Sequence, residues 1–106
     1  MIPGADELHV TPPRTDEQPV PKPYTVPAHV SWDEGTEQRL VIVDSLTTVI
    51  TRYVKATYTP EHSIPARATV TWRGLQFETD GPEEIHTDMQ GRLHHKTRRL
   101  RATEYR

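Results

Sequence analysis

Hydrophobic and polar residues alternate most regularly in the segment 68–80. Apolar side chains occupy every second position on both sides of a turn that contains Gly74: Val70, Trp72, Leu75 and Phe77. A period of two on either side of a glycine is typical of a β-hairpin. Arg73 and Gly74 are predicted to be the central residues of a two-residue loop, with a three-residue loop and a bulge as the alternative. Because a lone hairpin is marginal in water, its apolar face must pack against other strands.

The same alternation predicts further strands elsewhere in the chain. Apolar residues share one face in 24–32, where Pro27 cannot donate a sheet hydrogen bond and therefore lies at an edge or towards solvent. The β-branched run 39–43 is predicted to be a strand. The segment 46–58 is rich in Thr, Val, Ile and Tyr and alternates with Arg52 as the exception, which favours a long strand over the alternative of a helix. The last strand, over 92–103, has no cleanly apolar face.

The first 24 residues lack this pattern, apart from a short strand that fits 8–11. Seven of the ten prolines precede residue 28: Pro3, Pro12, Pro13, Pro19, Pro21, Pro23 and Pro27. Because proline breaks helices, this region is predicted to be an extended N-terminal arm (1–24) before one domain (25–106). A core built from roughly 80 residues supplies only about 3–5 kcal/mol, so we expect further copies of the chain to complete it.

Composition and charge narrow the class of protein. The 106 residues include no cysteine, so there is no disulfide and no thiolate metal site. No apolar run approaches a membrane span and the N-terminus does not resemble a secretory signal, so we expect a soluble cytoplasmic protein. The net charge is −2, but six cations and one acid in 92–106 give that segment +5 and leave −7 for the rest. This segment is either a solvated strand end or a basic surface that faces a polyanion or an acidic subunit.

No constellation of residues predicts catalysis or a cofactor. His94 and His95, with His86, Glu83 and Glu84, suggest a metal site. However, adjacent strand residues point to opposite faces, so the two neighbouring histidines are not expected to bind one ion. The remaining acidic pairs are consecutive and fit solvated loops, and there is no phosphate-binding loop or activated nucleophile. The sequence predicts a protein that is not an enzyme and holds neither metal nor cofactor.

The aromatic residues allow two interpretations. Trp32, Trp72 and Phe77 occupy alternating strand positions, where aromatic side chains are usually part of a core. The alternative is a stacking platform for single-stranded nucleic acid on a small barrel, which the basic last strand would assist.

A set of short motifs resembles a known family. In order they are Pro3-Gly-Ala-Asp6, Val26-Pro-Ala-His-Val30, Thr51-Arg-Tyr53, Tyr58-Thr-Pro60, Val70-Thr-Trp-Arg-Gly74, Phe77-Glu-Thr-Asp-Gly-Pro-Glu83 and Gly91-Arg-Leu-His-His95. The resemblance covers about nine-tenths of the chain, from the first to the last of these motifs, and rests on the short motifs themselves. This order resembles the head-to-tail stopper, or head–tail connector, proteins of long-tailed phages (siphoviruses), especially phages of actinobacteria.

The resemblance implies an all-β fold, a small antiparallel β-barrel with an extended Pro-rich arm and long loops. Such proteins form a homo-oligomeric ring in the neck of the virion after assembly in the host cytoplasm. The ring lies below the portal and adaptor and above the tail terminator and tail tube. It closes the DNA exit channel after packaging, without sequence-specific DNA binding, and provides the tail attachment surface. The alternatives are a tail terminator or another neck ring protein, and a small nucleic-acid-binding barrel.

The resemblance also implies roles for particular residues. The segment 33–48 would be a loop or hairpin that projects towards the channel, with a lumen-facing acidic set: Asp33, Glu34, Glu37 and Asp44. The basic set would meet a neighbouring subunit or partner: Arg92, Lys96, Arg98, Arg99 and Arg101. The expected barrel core is Val30, Val70, Trp72, Leu75, Phe77 and Leu93.

Overall fold

The computed structural model describes residues 6–33, 38–42 and 47–105, which form eight antiparallel strands and no helix. The strands are β1 (Asp6–Thr11), β2 (Tyr24–Trp32), β3 (Gln38–Ile42), β4 (Thr47–Tyr58), β5 (Thr69–Trp72), β6 (Leu75–Thr79), β7 (Glu84–Thr87) and β8 (Leu93–Tyr105). The predicted fold class, a small antiparallel β-barrel, is confirmed.

The pairing of β4 with β8 closes the barrel. Six strands follow one another around it in the order β4, β2, β1, β5, β6, β8, while β3 lies beside β4 and β7 lies beside β8. The closing ladder runs from Val49 paired with Tyr105 to Tyr58 paired with Lys96. On its other edge β4 pairs with β3 over 47–51 and with β2 over 54–57. The two long strands therefore extend past the barrel, and the molecule measures 55 × 36 × 22 Å.

The barrel begins inside the predicted arm. Strand β1 includes the short strand expected at 8–11 and pairs with β2 on one side and β5 on the other. Its Leu8 and Val10 side chains are fully buried. A boundary at residue 24 therefore does not separate an arm from the barrel. The stretch 12–23 keeps the Pro-rich, strand-free character expected of the arm, and it links β1 to β2.

Pro27 lies in a part of β2 where a residue without a backbone N–H does not disrupt the sheet. Residues 24–28 of β2 pair with β1, and residues 29–32 pair with β4. Pro27 is therefore in the half of β2 that has only one described neighbour, and its side chain is exposed. The missing N–H of proline leaves no gap in a second ladder.

The inner face of β4 follows the predicted alternation. Ile50, Val54, Ala56 and Tyr58 are all buried, so the long strand is confirmed and the alternative of a helix is wrong. Arg52 also occupies this inner register, opposite Ala102 of β8, and Arg98 lies opposite Ala56. A small residue across from each arginine leaves room for the long side chain.

Five of the six expected core residues lie in or against the core. Val70, Trp72 and Phe77 are buried, while Val30 and Leu75 pack partly buried against them. The expectation for Leu93 is wrong, because its side chain is 59% exposed. Leu93 starts β8 beyond the end of the β4 ladder, and among the described strands it pairs only with β7, outside the closed barrel.

The central hairpin has the predicted two-residue loop. Trp72 pairs with Leu75, and both Arg73 (φ 51°) and Gly74 (φ 76°) have positive φ, as a type I′ turn requires. Glycine adopts this conformation easily, whereas arginine is strained there. The Arg73 guanidinium lies 4.7 Å from the Trp72 ring centroid and 3.7 Å from a carboxylate oxygen of Asp6. These contacts offset part of the strain.

A substitution of Phe77 tests how much the barrel core contributes to stability. We expect Phe77→Ala to lower the free energy of unfolding by about 3–5 kcal/mol, because the fully buried ring leaves a cavity. Gln76→Ala, at the exposed neighbouring position, should change it by less than about 0.5 kcal/mol. Urea unfolding monitored by tryptophan fluorescence measures both values. Similar values for the two variants would contradict the position of Phe77 in the core.

Candidate functional site

The five predicted basic interface residues do not form one surface. Arg99 and Arg101 lie on the outer face of the barrel wall, paired in register with Lys55 and Tyr53. Lys96 and Arg98 alternate with them and share the register of the inner-face residues Tyr58 and Ala56. Arg98 is only 5% exposed.

Carboxylates of the same chain flank the two outer arginines. Arg99 approaches Asp33 at 3.9 Å and Asp80 at 3.6 Å, and its guanidinium covers the Tyr53 ring at 4.1 Å. Arg101 approaches Glu78 at 3.2 Å and Asp80 at 3.8 Å. Such partly exposed pairs each contribute about 0–1 kcal/mol. Their main effect is to neutralise this part of the basic strand within the subunit.

Arg92 belongs to the turn between β7 and β8. Its Nε donates to Asp88 Oδ2 at 3.1 Å, and the other Asp88 oxygen accepts from the backbone N–H groups of Gln90 and Arg92, both at 2.9 Å. The hydrogen bond from the Arg92 backbone is the main reason that the pKa of Asp88 is lowered. This ordered turn presents Met89 fully exposed at its tip.

Lys96 belongs to a polar cluster at one end of the barrel, centred on Glu83. The Glu83 carboxylate accepts hydrogen bonds from the Tyr58 hydroxyl, from Ser63 Oγ at 3.2 Å and from the backbone N–H of Ile64 at 3.1 Å. Lys96 Nζ lies 3.8 Å from the carboxylate and donates to the His62 carbonyl at 3.1 Å. Tyr24 donates to the Ser63 carbonyl at 2.7 Å. The cluster ties the 59–68 loop across this end, where Ile64 is buried in the core.

The surroundings of Glu83 shift two pKa values in opposite directions. Burial raises the pKa of Glu83, but hydrogen bonds from Tyr58, Ile64 and Ser63 and the charge of Lys96 together bring it below its ordinary range. Burial, and then the hydrogen bond to Glu83, raise the pKa of Tyr58. The arrangement is therefore a neutral phenol donating to an ionised carboxylate. Sequence analysis did not single out this role, since consecutive glutamates also fit a solvated loop.

The predicted channel-facing set lies only partly within the described residues. Asp33 follows β2, and its N–H donates to the Tyr53 carbonyl at 2.8 Å while its carboxylate faces Arg99. Glu34, Glu37 and Asp44 lie outside the described residues. The expected hairpin is present as β3 paired with the start of β4. Successive residues on β3, Leu40 and Val41, are 63% and 57% exposed, so β3 is open to solvent on both faces at these positions.

The aromatic residues form part of the core and not an open platform. Trp72 and Phe77 are buried, with ring centroids 6.1 Å apart, and Trp32 covers them at 5.5 Å and 6.3 Å. Trp32 alone of the three keeps an exposed portion. Stacked bases need accessible ring faces, so this geometry does not support a nucleic-acid platform.

The geometric argument against a shared histidine site is wrong in one respect. A β-bulge in β8 brings the His94 and His95 rings together, with their Nδ1 atoms 2.8 Å apart. Even so, no group of three or more His, Asp or Glu side chains in the described part of the chain is arranged to hold a metal ion.

Comparisons with protein-family models, with curated proteins and with solved structures found no match to this chain. Over the described ranges, the structure contains no helix long and apolar enough to cross a membrane.

The role of Glu83 in holding the 59–68 loop can be tested by measuring the free energy of unfolding. We expect Glu83→Ala to lower the free energy of unfolding by about 2–3 kcal/mol, because several donors lose an ionised acceptor. Glu7→Ala, on the exposed face of β1, should cost less than about 0.5 kcal/mol. Urea unfolding at pH 7 gives both values, and equal losses would show that Glu83 does not hold the loop.

The lowered pKa of Glu83 predicts sensitivity to acid. A carboxylate with a depressed pKa in the folded state contributes its full stabilisation above the ordinary pKa of about 4.3 and loses it as the pH falls through the folded-state value. Between pH 5 and 3, in round numbers, the wild-type urea midpoint should therefore fall more than that of Glu83→Gln. If the urea midpoints of the two proteins fell equally with pH, the lowered pKa assigned to Glu83 would be contradicted.

Proposed function

We propose that this protein is a structural subunit of the neck of a long-tailed phage, a ring-forming head-to-tail stopper. In this role copies of the chain join below the portal and adaptor, close the DNA exit channel and offer the tail its attachment surface. The ring contacts the tail terminator or tail tube on its other side. The proposal combines the motif order that resembles such proteins with a closed β-barrel of the expected type.

The observation that carries the proposal is the β3–β4 hairpin. It continues the sheet beyond the end of β2 and exposes the apolar Leu40 and Val41 on opposite faces. A small barrel gains nothing from such a hairpin in isolation, because exposed apolar side chains favour contact with a partner. A neighbouring subunit or the adaptor ring is the partner that fits the proposed role.

The basic side chains of β8 also favour assembly over nucleic-acid binding, because carboxylates of the same chain lie beside them. Arg99 and Arg101 face carboxylates of their own chain, and Lys96 faces Glu83. Phosphate binding requires cations that are free to replace counterions along the nucleic acid. A tail terminator remains the alternative within the same machine, because it is also a ring at the neck.

The proposed contact role of the β3–β4 hairpin can be tested in an assembly assay. We expect Leu40→Asp to leave the barrel folded but to abolish joining of the protein to DNA-filled heads that carry portal and adaptor, because the charge prevents apolar contact at a position 63% exposed in the free subunit. Val20→Asp, at a position 80% exposed in the 12–23 link, is the matched control and should join normally. Negative-stain electron microscopy of purified heads scores the result.

The outcome separates the candidate functions. Heads that receive the wild-type protein should retain DNA and accept tails, as expected for a stopper. If the protein instead binds free tails and limits their length, the terminator alternative is correct. Normal joining by Leu40→Asp would remove the assigned role of the hairpin.

Nucleic-acid binding provides an independent measurement. We expect duplex and single-stranded DNA to bind no more tightly than the non-specific range of about 10⁻⁴–10⁻⁶ M at physiological salt. A fluorescence anisotropy titration at several salt concentrations measures this affinity. Tight binding that weakens steeply as salt rises would support the nucleic-acid-binding alternative.

A further inference from the structure

Three histidine side chains meet where β7 pairs with β8. The His86 ring of β7 stacks on the His95 ring of β8, with centroids 4.4 Å apart and planes 10° from parallel. The His94 and His95 rings are nearly perpendicular, and their Nδ1 atoms are 2.8 Å apart. His86 Nε2 also lies 3.1 Å from the hydroxyl of Thr97, which is buried.

A β-bulge explains how neighbouring residues come together. His86 pairs with His95 and Thr87 pairs with Leu93, which leaves His94 as the extra residue of β8. A bulge interrupts the strict alternation of side chains along a strand and redirects the residues beside it. The contact between His94 and His95 is therefore a property of the pairing between β7 and β8.

The contact between His94 Nδ1 and His95 Nδ1 depends on the protonation state of these two rings. A hydrogen bond between two ring nitrogens needs one N–H donor and one lone-pair acceptor. Two neutral imidazoles, or one neutral and one charged, satisfy this requirement. When both rings are charged, every ring nitrogen carries a proton and two donors face each other. Charged His86 and His95 would additionally place two cations in a parallel stack.

The surroundings of His95 favour its neutral form. Lys55 of β4 adds a positive charge near His95, and burial, followed by the charges of His86, His94 and Lys55, lowers the pKa of His95. Glu84 Oε2 lies 3.6 Å from His86 Nε2. A charged His94 would lower the pKa of Asp88, but Arg92 already pairs with that carboxylate. The two acids therefore do not balance three charged histidines together with Lys55 and Arg92.

We propose that the β7–β8 hairpin is a proton-sensitive latch: the stack of His86 on His95 holds β7 on β8, the His94–His95 contact stabilises the bulge beside it, and protonation of the rings releases β7. Strand β7 has four residues and pairs only with β8 among the described strands, so it can separate without opening the barrel.

The direction of the pH dependence follows from the contacts. A histidine whose charged form is disfavoured in the folded state contributes its full stabilisation above its ordinary pKa of about 6.5. That contribution is lost as the pH falls below this value and through the folded-state pKa. The latch therefore holds at neutral pH and begins to open as the pH falls below about 6.5.

Amide hydrogen exchange of the wild-type protein tests the latch. Protection factors, corrected for the intrinsic effect of pH, are measured by NMR at pH values of about 7.5 and 5.5, on either side of the ordinary histidine pKa. We expect the amides of β7 to lose about tenfold or more in protection at the lower pH. The amides of β1 and β5, which belong to the closed barrel, should keep theirs.

Two variants identify the groups responsible. The double variant His94→Asn, His95→Asn keeps polar side chains that do not titrate, so the pH-dependent loss at β7 should be much smaller. His9→Asn, on the exposed face of β1, should retain the full loss. Unchanged β7 protection in the wild type would overturn the proposal, and so would an equal loss in the double variant. The wild-type measurement is decisive even if the double variant does not fold.

Discussion

The ladder between β4 and β8 is the interaction on which the rest of the structure depends. It closes six strands into a barrel, although the two strands are far apart along the chain. Both strands are longer than the barrel is tall, so each carries a short additional strand past one end. The same ladder thus creates a closed core and carries two further hairpins, β3–β4 and β7–β8, at its ends.

The distribution of charge follows from this ladder. Alternate residues of β8 face inwards and outwards, so a run that is uniformly basic in sequence is divided between two environments. Arg98 enters the barrel opposite Ala56, while Arg99 lies outside between Asp33 and Asp80. Lys96 faces Glu83 at the end where the 59–68 loop crosses the barrel. The basic segment therefore contributes to the cohesion of one subunit.

Part of the candidate site could be predicted from local pattern and part could not. The strands β3 and β4 were expected from two β-branched runs, whereas their projection as a hairpin was only what the family resemblance implied. The Glu83 cluster was not expected, because its donors come from β4, the following loop and β8, and no local signal joins them. The bulge at His94 was also missed: strict alternation separates neighbouring side chains, and only the register with β7 shows where alternation is interrupted. Leu93 was assigned to the core for a related reason, since an apolar residue on a strand does not reveal whether that strand has left the barrel.

The sequence by itself determined the all-β class, the central hairpin with its Arg73-Gly74 loop and the buried face of β4. These features depend on the period of two in side-chain direction and on backbone conformations that few residues accept, which are local properties. Only the tertiary structure decided that β1 lies inside the barrel, that Arg98 is buried while Arg99 is not, and that His94 meets His95. Each of these depends on which strands pair and in which register, and that choice is made by contacts between distant segments during closure of the barrel.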